Sequence, residues 1–164
     1  MNIKWIYFRT LSIINILFIN IDILFHKILK KKIIVFFHPR GNLKSISDYY
    51  INPLFKSKYK NHKVYILENS SNFFLSNTLI EESFVKYLVG IDVFFNNYLC
   101  DTFPSNCKKI FIHHDIYDTP IANRKVYKEI RNRLIKYDYI LLPSIKSKTI
   151  FDDLSICLLY TSPS

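Results

Sequence analysis

The chain has 164 residues, 49% hydrophobic and 22% charged, enough for one domain with a real core and unlike a disordered polymer. Its two glycines, Gly41 and Gly90, rule out a phosphate-cradling G-x-G-x-x-G or G-x-x-x-x-G-K loop. The formal net charge is +10, but apart from Lys30 to Lys32 the cations are scattered without a basic, aromatic-interleaved stripe, so no nucleic-acid partner is expected.

The predicted elements follow in chain order. Trp5 to Leu29 reads as a strongly apolar helix. Ser12, Asn15, Asp22 and His26 form a narrow polar stripe along it, interrupted by Ile19. Lys4 and Arg9 precede its apolar stretch, and Lys27 and Lys30 to Lys32 follow. The charge asymmetry that orients a spanning helix is therefore missing. Two placements fit: in a membrane interface, or packed on the chain's own domain. No small-residue cleavage site follows, which argues against a signal peptide.

From Lys31 onward strands alternate with helices. Ile33 to Phe37 is a continuous apolar run, as in a buried parallel strand, and His38-Pro39-Arg40-Gly41-Asn42 forms a turn after it. Ser45 to Ile51 can be a short helix ended near Pro53. Val64 to Leu67 is the second strand. Asn77 or Thr78 can cap a helix with Ile80, Phe84, Tyr87 and Leu88 on its apolar face, and Gly90 suits a left-handed position after it. Ile91 to Phe95, Ile110 to His113 and Tyr139 to Leu142 are further strands. Between the last two, Val126, Ile130, Leu134 and Tyr137 mark a helix face. Ser147 to Leu154 can begin another helix.

This alternation predicts an α/β fold: a Rossmann-like parallel sheet flanked by helices, preceded by the apolar helix. The expected division is 1–30 for that helix, 31–154 for the domain and 155–164 for an irregular tail. The tail, ending CLLYTSPS, resembles translated read-through of a sequencing adapter, so the natural chain is expected to continue past about residue 155.

Parallel strands share a carboxyl edge, where open α/β sheets place their chemistry. The strand-end segments HPRGN, ENSS, NN, HHD and PS should converge there. His114 lies further out of its strand than His113 and is the favoured general base, with Asp115 placed to orient its imidazole. His113, Arg40, Gly41, Asn96 and Ser144 are candidate substrate-binding residues. Arg40 lies near a possible helix amino terminus, which together could hold an anion. Cys100, Cys107 and Cys157 have no disulfide spacing and suggest a reducing compartment. A zinc site joining Cys100, Cys107, His113 and His114 would need both neighbouring histidines turned to one side, so no metal is expected.

The runs KKIIVFFHPRGNLKSISDYYINPLF, ENSSNF, IDVFFNN and KIFIHHDIYDTPIANRKVYKEIRNRLIKYDYILLPS resemble the amino-terminal half of the CDP-glycerol glycerophosphotransferase family, over about Lys31 to Leu154. That resemblance implies one half of a GT-B-like fold. It also implies transfer of glycerol phosphate from CDP-glycerol to a hydroxyl of a lipid-linked or polymeric acceptor, as in teichoic-acid and capsule synthesis. The family's motif at its base is histidine followed by glycine, and the matching pair here is His114-Asp115. A nucleotide-activated donor would be held by a carboxyl-terminal domain with no counterpart in this sequence, so this portion alone is expected to be inactive. The family's attachment to the cytoplasmic membrane face implies a peripheral location on an anionic membrane surface. A GT-B glycosyltransferase and a non-enzymatic membrane-surface module with structural histidines are the other readings of the same sheet. No cofactor is expected.

Overall fold

The computed structural model describes residues 3–38, 61–68, 80–112, 124–142 and 157–160. Helix α1 (Ile3–Ile28) is followed by strands β1 (Lys32–His38) and β2 (His62–Glu68). A 3-10 helix (Glu82–Tyr87), β3 (Val93–Asn96), β4 (Lys108–Ile112), helix α2 (Arg124–Leu134), β5 (Tyr139–Leu142) and β6 (Cys157–Tyr160) complete the described elements. The strands form one six-stranded sheet in the order β2-β1-β3-β4-β5-β6. Every neighbouring pair is parallel. The α/β reading of the sequence holds.

Alternation along the strands divides the core. Ile33, Val35 and Phe37 on β1, Tyr65 and Leu67 on β2 and Phe94 on β3 share one face. There they meet Ile16, Ile19 and Ile23 of α1 and Val85 of the 3-10 helix. Phe111, Ile140 and Leu142 continue this face and pack under Ile130 and Leu134 of α2. Ile34, Phe36 and Ile112 point to the opposite face. Each fully buried aliphatic or aromatic side chain contributes about 1.5–3 kcal/mol of hydrophobic stabilisation.

α1 is docked by Ser12 and Asp22 of its polar stripe and by Asn20 beside it. The Ser12 hydroxyl donates to the Phe8 carbonyl at 2.9 Å and accepts from the Glu81 N–H at 3.0 Å. The Asn20 side chain donates to the Tyr87 carbonyl at 2.9 Å and accepts from the Val89 N–H at 3.0 Å. The Tyr65 hydroxyl donates to Asp22 at 2.6 Å, and Lys63 lies 3.4 Å from the same carboxylate. That hydrogen bond, above all, holds the Asp22 carboxyl below its usual range. Burial first, then Asp22, pushes the Tyr65 phenol up. Ile19, which interrupts the stripe in the sequence, is buried in the core alongside it. The packing expected of this helix on its own domain is present. Its outer side, including Leu17, Phe18, Ile21 and Leu24, is exposed.

α1 ends in a Schellman arrangement: the Lys30 N–H donates to Lys27 and the Lys31 N–H to His26, with Lys30 at φ 57°. Aspartates then tie the amino-terminal ends of the strands together. The Asp92 N–H donates to the Ile33 carbonyl at 3.0 Å, and its carboxylate accepts the Ile33 N–H at 2.6 Å. Asp138 repeats this with Lys109, at 2.9 Å and 2.8 Å. Asp92 also accepts from Lys27 at 2.6 and 2.7 Å, and its carbonyl accepts from the Lys108 N–H at 2.9 Å. One residue therefore joins α1, β1, β3 and β4.

Two expectations need correction. The helix expected after residue 78 is described as the 3-10 helix Glu82–Tyr87, with Val85 and Leu88 inward and Tyr87 exposed. Three-residue spacing replaces four, and the two bonds from Asn20 hold the chain on either side of Leu88. The tail expected to be irregular pairs at Cys157–Tyr160 with β5 as a parallel strand, from Tyr139↔Cys157 to Leu142↔Tyr160. The open backbone edge of β5 is a template for any apolar, extended segment, so pairing there needs no periodicity of its own. Gly90 has φ 74°, the left-handed conformation expected for it. The expected helices at Ser45 to Ile51 and Ser147 to Leu154 lie outside the described residues.

Candidate functional site

Because all strands run parallel, their carboxyl ends share one edge. The strand order adds what the sequence could not supply. β2 lies on one side of β1 and β3 on the other, so the chain reverses its direction of growth between β1 and β3. In an open α/β sheet the crevice for a ligand opens at the carboxyl ends flanking such a reversal, where the two outgoing connections part to opposite sides.

Four described residues mark this position. β1 ends at His38 and β3 at Asn96. Phe37 pairs with Asn96, which sets His38 level with Asn97. His38, Asn96 and Asn97 are all buried. The His38 ring lies 5.5 Å from the ring of Tyr98, tilted by 52°. An imidazole, two carboxamides and a phenol are donors and acceptors suited to phosphate and hydroxyl groups.

Asn96 is only 2% exposed. Its amide faces inward, beside the Cys100 thiol and the Tyr137 hydroxyl, where it opposes the rise in pKa that burial gives both groups. The Tyr137 hydroxyl accepts the Cys100 N–H at 3.1 Å. Neither polar atom of the Asn96 side chain, nor the Asn97 side-chain nitrogen, has a well-formed hydrogen bond among the described residues. Asn96, predicted as a substrate-binding residue, thus ends β3 at the expected sheet edge, with its side chain buried beside Cys100 and Tyr137. Burial also pushes the Cys107 thiol up to about 11, and Cys100 is raised further, so both are held as neutral thiols at neutral pH.

The remaining predicted residues, Arg40, Gly41, His113, His114, Asp115 and Ser144, lie outside the described residues. In the sequence they adjoin the strand ends. Arg40 and Gly41 follow β1 by one residue, His113 and His114 follow β4 directly, and Ser144 follows β5 by one. Within the sheet Asn96 pairs with Phe111 and Ile112 with Leu141, so these strand ends are level to within about a residue.

The sequence reads His38 as part of a turn and Asn96-Asn97 as a strand-end segment, and gives no signal for Tyr98. The signal for His38 was its place at the end of an apolar run. Its relevance depends on β1 being central, which is a fact of strand order.

Fold and strand order together define an open parallel α/β protein with polar residues at its switch-point edge. No family model, curated protein or solved structure matches the chain.

Proposed function

We propose that this chain is the acceptor-side part of a GT-B-like transferase that moves glycerol phosphate from CDP-glycerol to a hydroxyl of a lipid-linked or polymeric acceptor at the cytoplasmic face of the membrane. The observation that carries the reading is the all-parallel sheet, whose level carboxyl ends lead from β1 and β4 into the segments that resemble the family. The resemblance supplies the chemistry. His114 takes the proton of the acceptor hydroxyl, and Asp115 orients the imidazole. The acceptor oxygen bonds to the phosphorus that carries glycerol, and the bond from that phosphorus to the oxygen of CMP breaks. Phosphoryl transfer of this kind depends on positioning and on cations around the phosphoryl oxygens. Arg40, two residues after β1 in the sequence, is the residue we assign to the charge, with Gly41, His113, Asn96 and Ser144 assigned to the acceptor side.

The test is CMP release from CDP-glycerol by the full-length gene product, with and without His114→Ala. A drop of about a hundredfold or more, with an unchanged melting temperature, is expected of a general base. Unchanged turnover in the variant removes the base. Turnover with a nucleotide sugar in place of CDP-glycerol would make the protein a glycosyltransferase instead.

A further inference from the structure

The outer side of α1 is a continuous apolar surface that nothing in the described structure covers. Ile13, Leu17, Phe18, Ile21, Leu24 and Phe25 are all exposed on it. They fall within a helical arc of about 140°, and the exposed apolar surface from Trp5 to Leu29 is about 36 Å long. A patch of this extent marks a docking surface.

We infer that this face seats α1 in the interface of an anionic lipid bilayer, parallel to its surface, with the sheet held above it. Three observations select this occupant. First, α1 is long and apolar enough to cross a membrane, but its polar side chains bond it to the domain from Ser12 to Lys27, about 22 Å of helix. A spanning orientation would carry β1 and β2 into hydrocarbon, where open sheet edges are not tolerated. Second, the charge is complementary to anionic headgroups. The one carboxylate of α1, Asp22, is turned inward onto Tyr65 and Lys63. The cations Lys30 to Lys32 close the helix at its carboxyl end; Arg9, near the other, is stacked 4.5 Å from the Trp5 ring and paired with Glu81 at 3.5 Å, so the charge on offer to headgroups is mainly that of the lysine cluster. Third, Trp5 and Tyr7, which are exposed at its amino end, have the amphipathic rings that settle at headgroup level. Ordinary interfacial helices solvate their polar face, whereas this one uses it to carry a domain. The inference does not depend on the transferase reading, since lipid binding requires no turnover.

The experiment is co-sedimentation of the full chain with phosphatidylcholine vesicles, with and without phosphatidylglycerol. It is joined to the fluorescence of Trp5, the single tryptophan of the sequence. The expected result is binding to the anionic vesicles that weakens with salt, together with quenching of Trp5 by lipids brominated near the headgroup. The double variant Leu17→Glu/Phe18→Glu should bind at least tenfold more weakly, with its melting temperature unchanged because both side chains are already exposed. Three results would overturn the inference: no vesicle binding, binding indifferent to the double variant, or a soluble dimer that the variant dissociates in place of any lipid binding.

Discussion

Two residues in the left-handed region test the same physics with opposite signs. Lys30 closes α1 at φ 57°, a conformation that costs an L-residue about 1 kcal/mol or more. Lys30→Gly should therefore raise stability by about 0.5–1 kcal/mol, read as a higher urea midpoint at unchanged slope. Gly90 sits at φ 74°, and a Cβ there would lie 3.1 Å from Cγ2 of Ile23. Gly90→Ala combines left-handed strain with crowding against a fully buried side chain of α1, and should lower stability by about 1–2 kcal/mol in the same measurement. A loss from the first change, or a gain from the second, would contradict the conformations described.

At the scale of the element, α1 is inverted relative to an ordinary surface helix. Its polar residues face inward to hydrogen bonds and its largest apolar residues face outward. Ile21 and Ile23, two positions apart in one helix, make the contrast measurable: Ile21 is 66% exposed and Ile23 is 1% exposed. Ile23→Ala should destabilise by about 2–4 kcal/mol through lost burial and the cavity left behind. Ile21→Ala should fall within about 0.5 kcal/mol of the parent. Equal effects in thermal unfolding would mean that α1 is not docked by its Ser12 side. Hydrophobicity alone cannot separate these isoleucines, because both belong to one apolar run. What distinguishes them is which side of the helix the bonds of Ser12, Asn20 and Asp22 bring against the sheet.

At the scale of the molecule, Asp92 is the junction. Burial raises its pKa, but the hydrogen bonds from Lys27 and from the Ile33 N–H outweigh burial, so the carboxyl stays below the usual carboxylate range. A carboxylate with a depressed folded pKa contributes stability above its unfolded pKa and loses it as pH falls through the folded one. The contribution of Asp92 should thus be complete above about pH 5 and vanish progressively below about pH 4. Asp92→Asn should cost about 1–2 kcal/mol at pH 7, a modest figure because the pair with Lys27 is about a third exposed. The difference between variant and parent should shrink as the pH is taken below 4, measured as chemical unfolding across that range. A gap independent of pH would show that the carboxylate charge is not what joins these four elements.

Periodicity and composition were sufficient for the α/β class, for β5 at Tyr139–Leu142, for the core of β1 and β2, and for the apolar face of α2 at Ile130 and Leu134. These are local matters: an apolar run of strand length, or apolar residues three and four apart, can bury itself in few ways. The parallel carboxyl edge followed from the same alternation. Strand order is not local, and the switch point that brings the ends of β1 and β3, His38 and Asn96, to adjoining positions exists only because those strands are neighbours. Nor could the sequence say that the stripe beginning at Ser12 would face the protein while Phe18 and Ile21 faced outward. An amphipathic pattern specifies two faces of a helix, but which one is covered depends on the hydrogen-bonding groups that the rest of the fold presents to it.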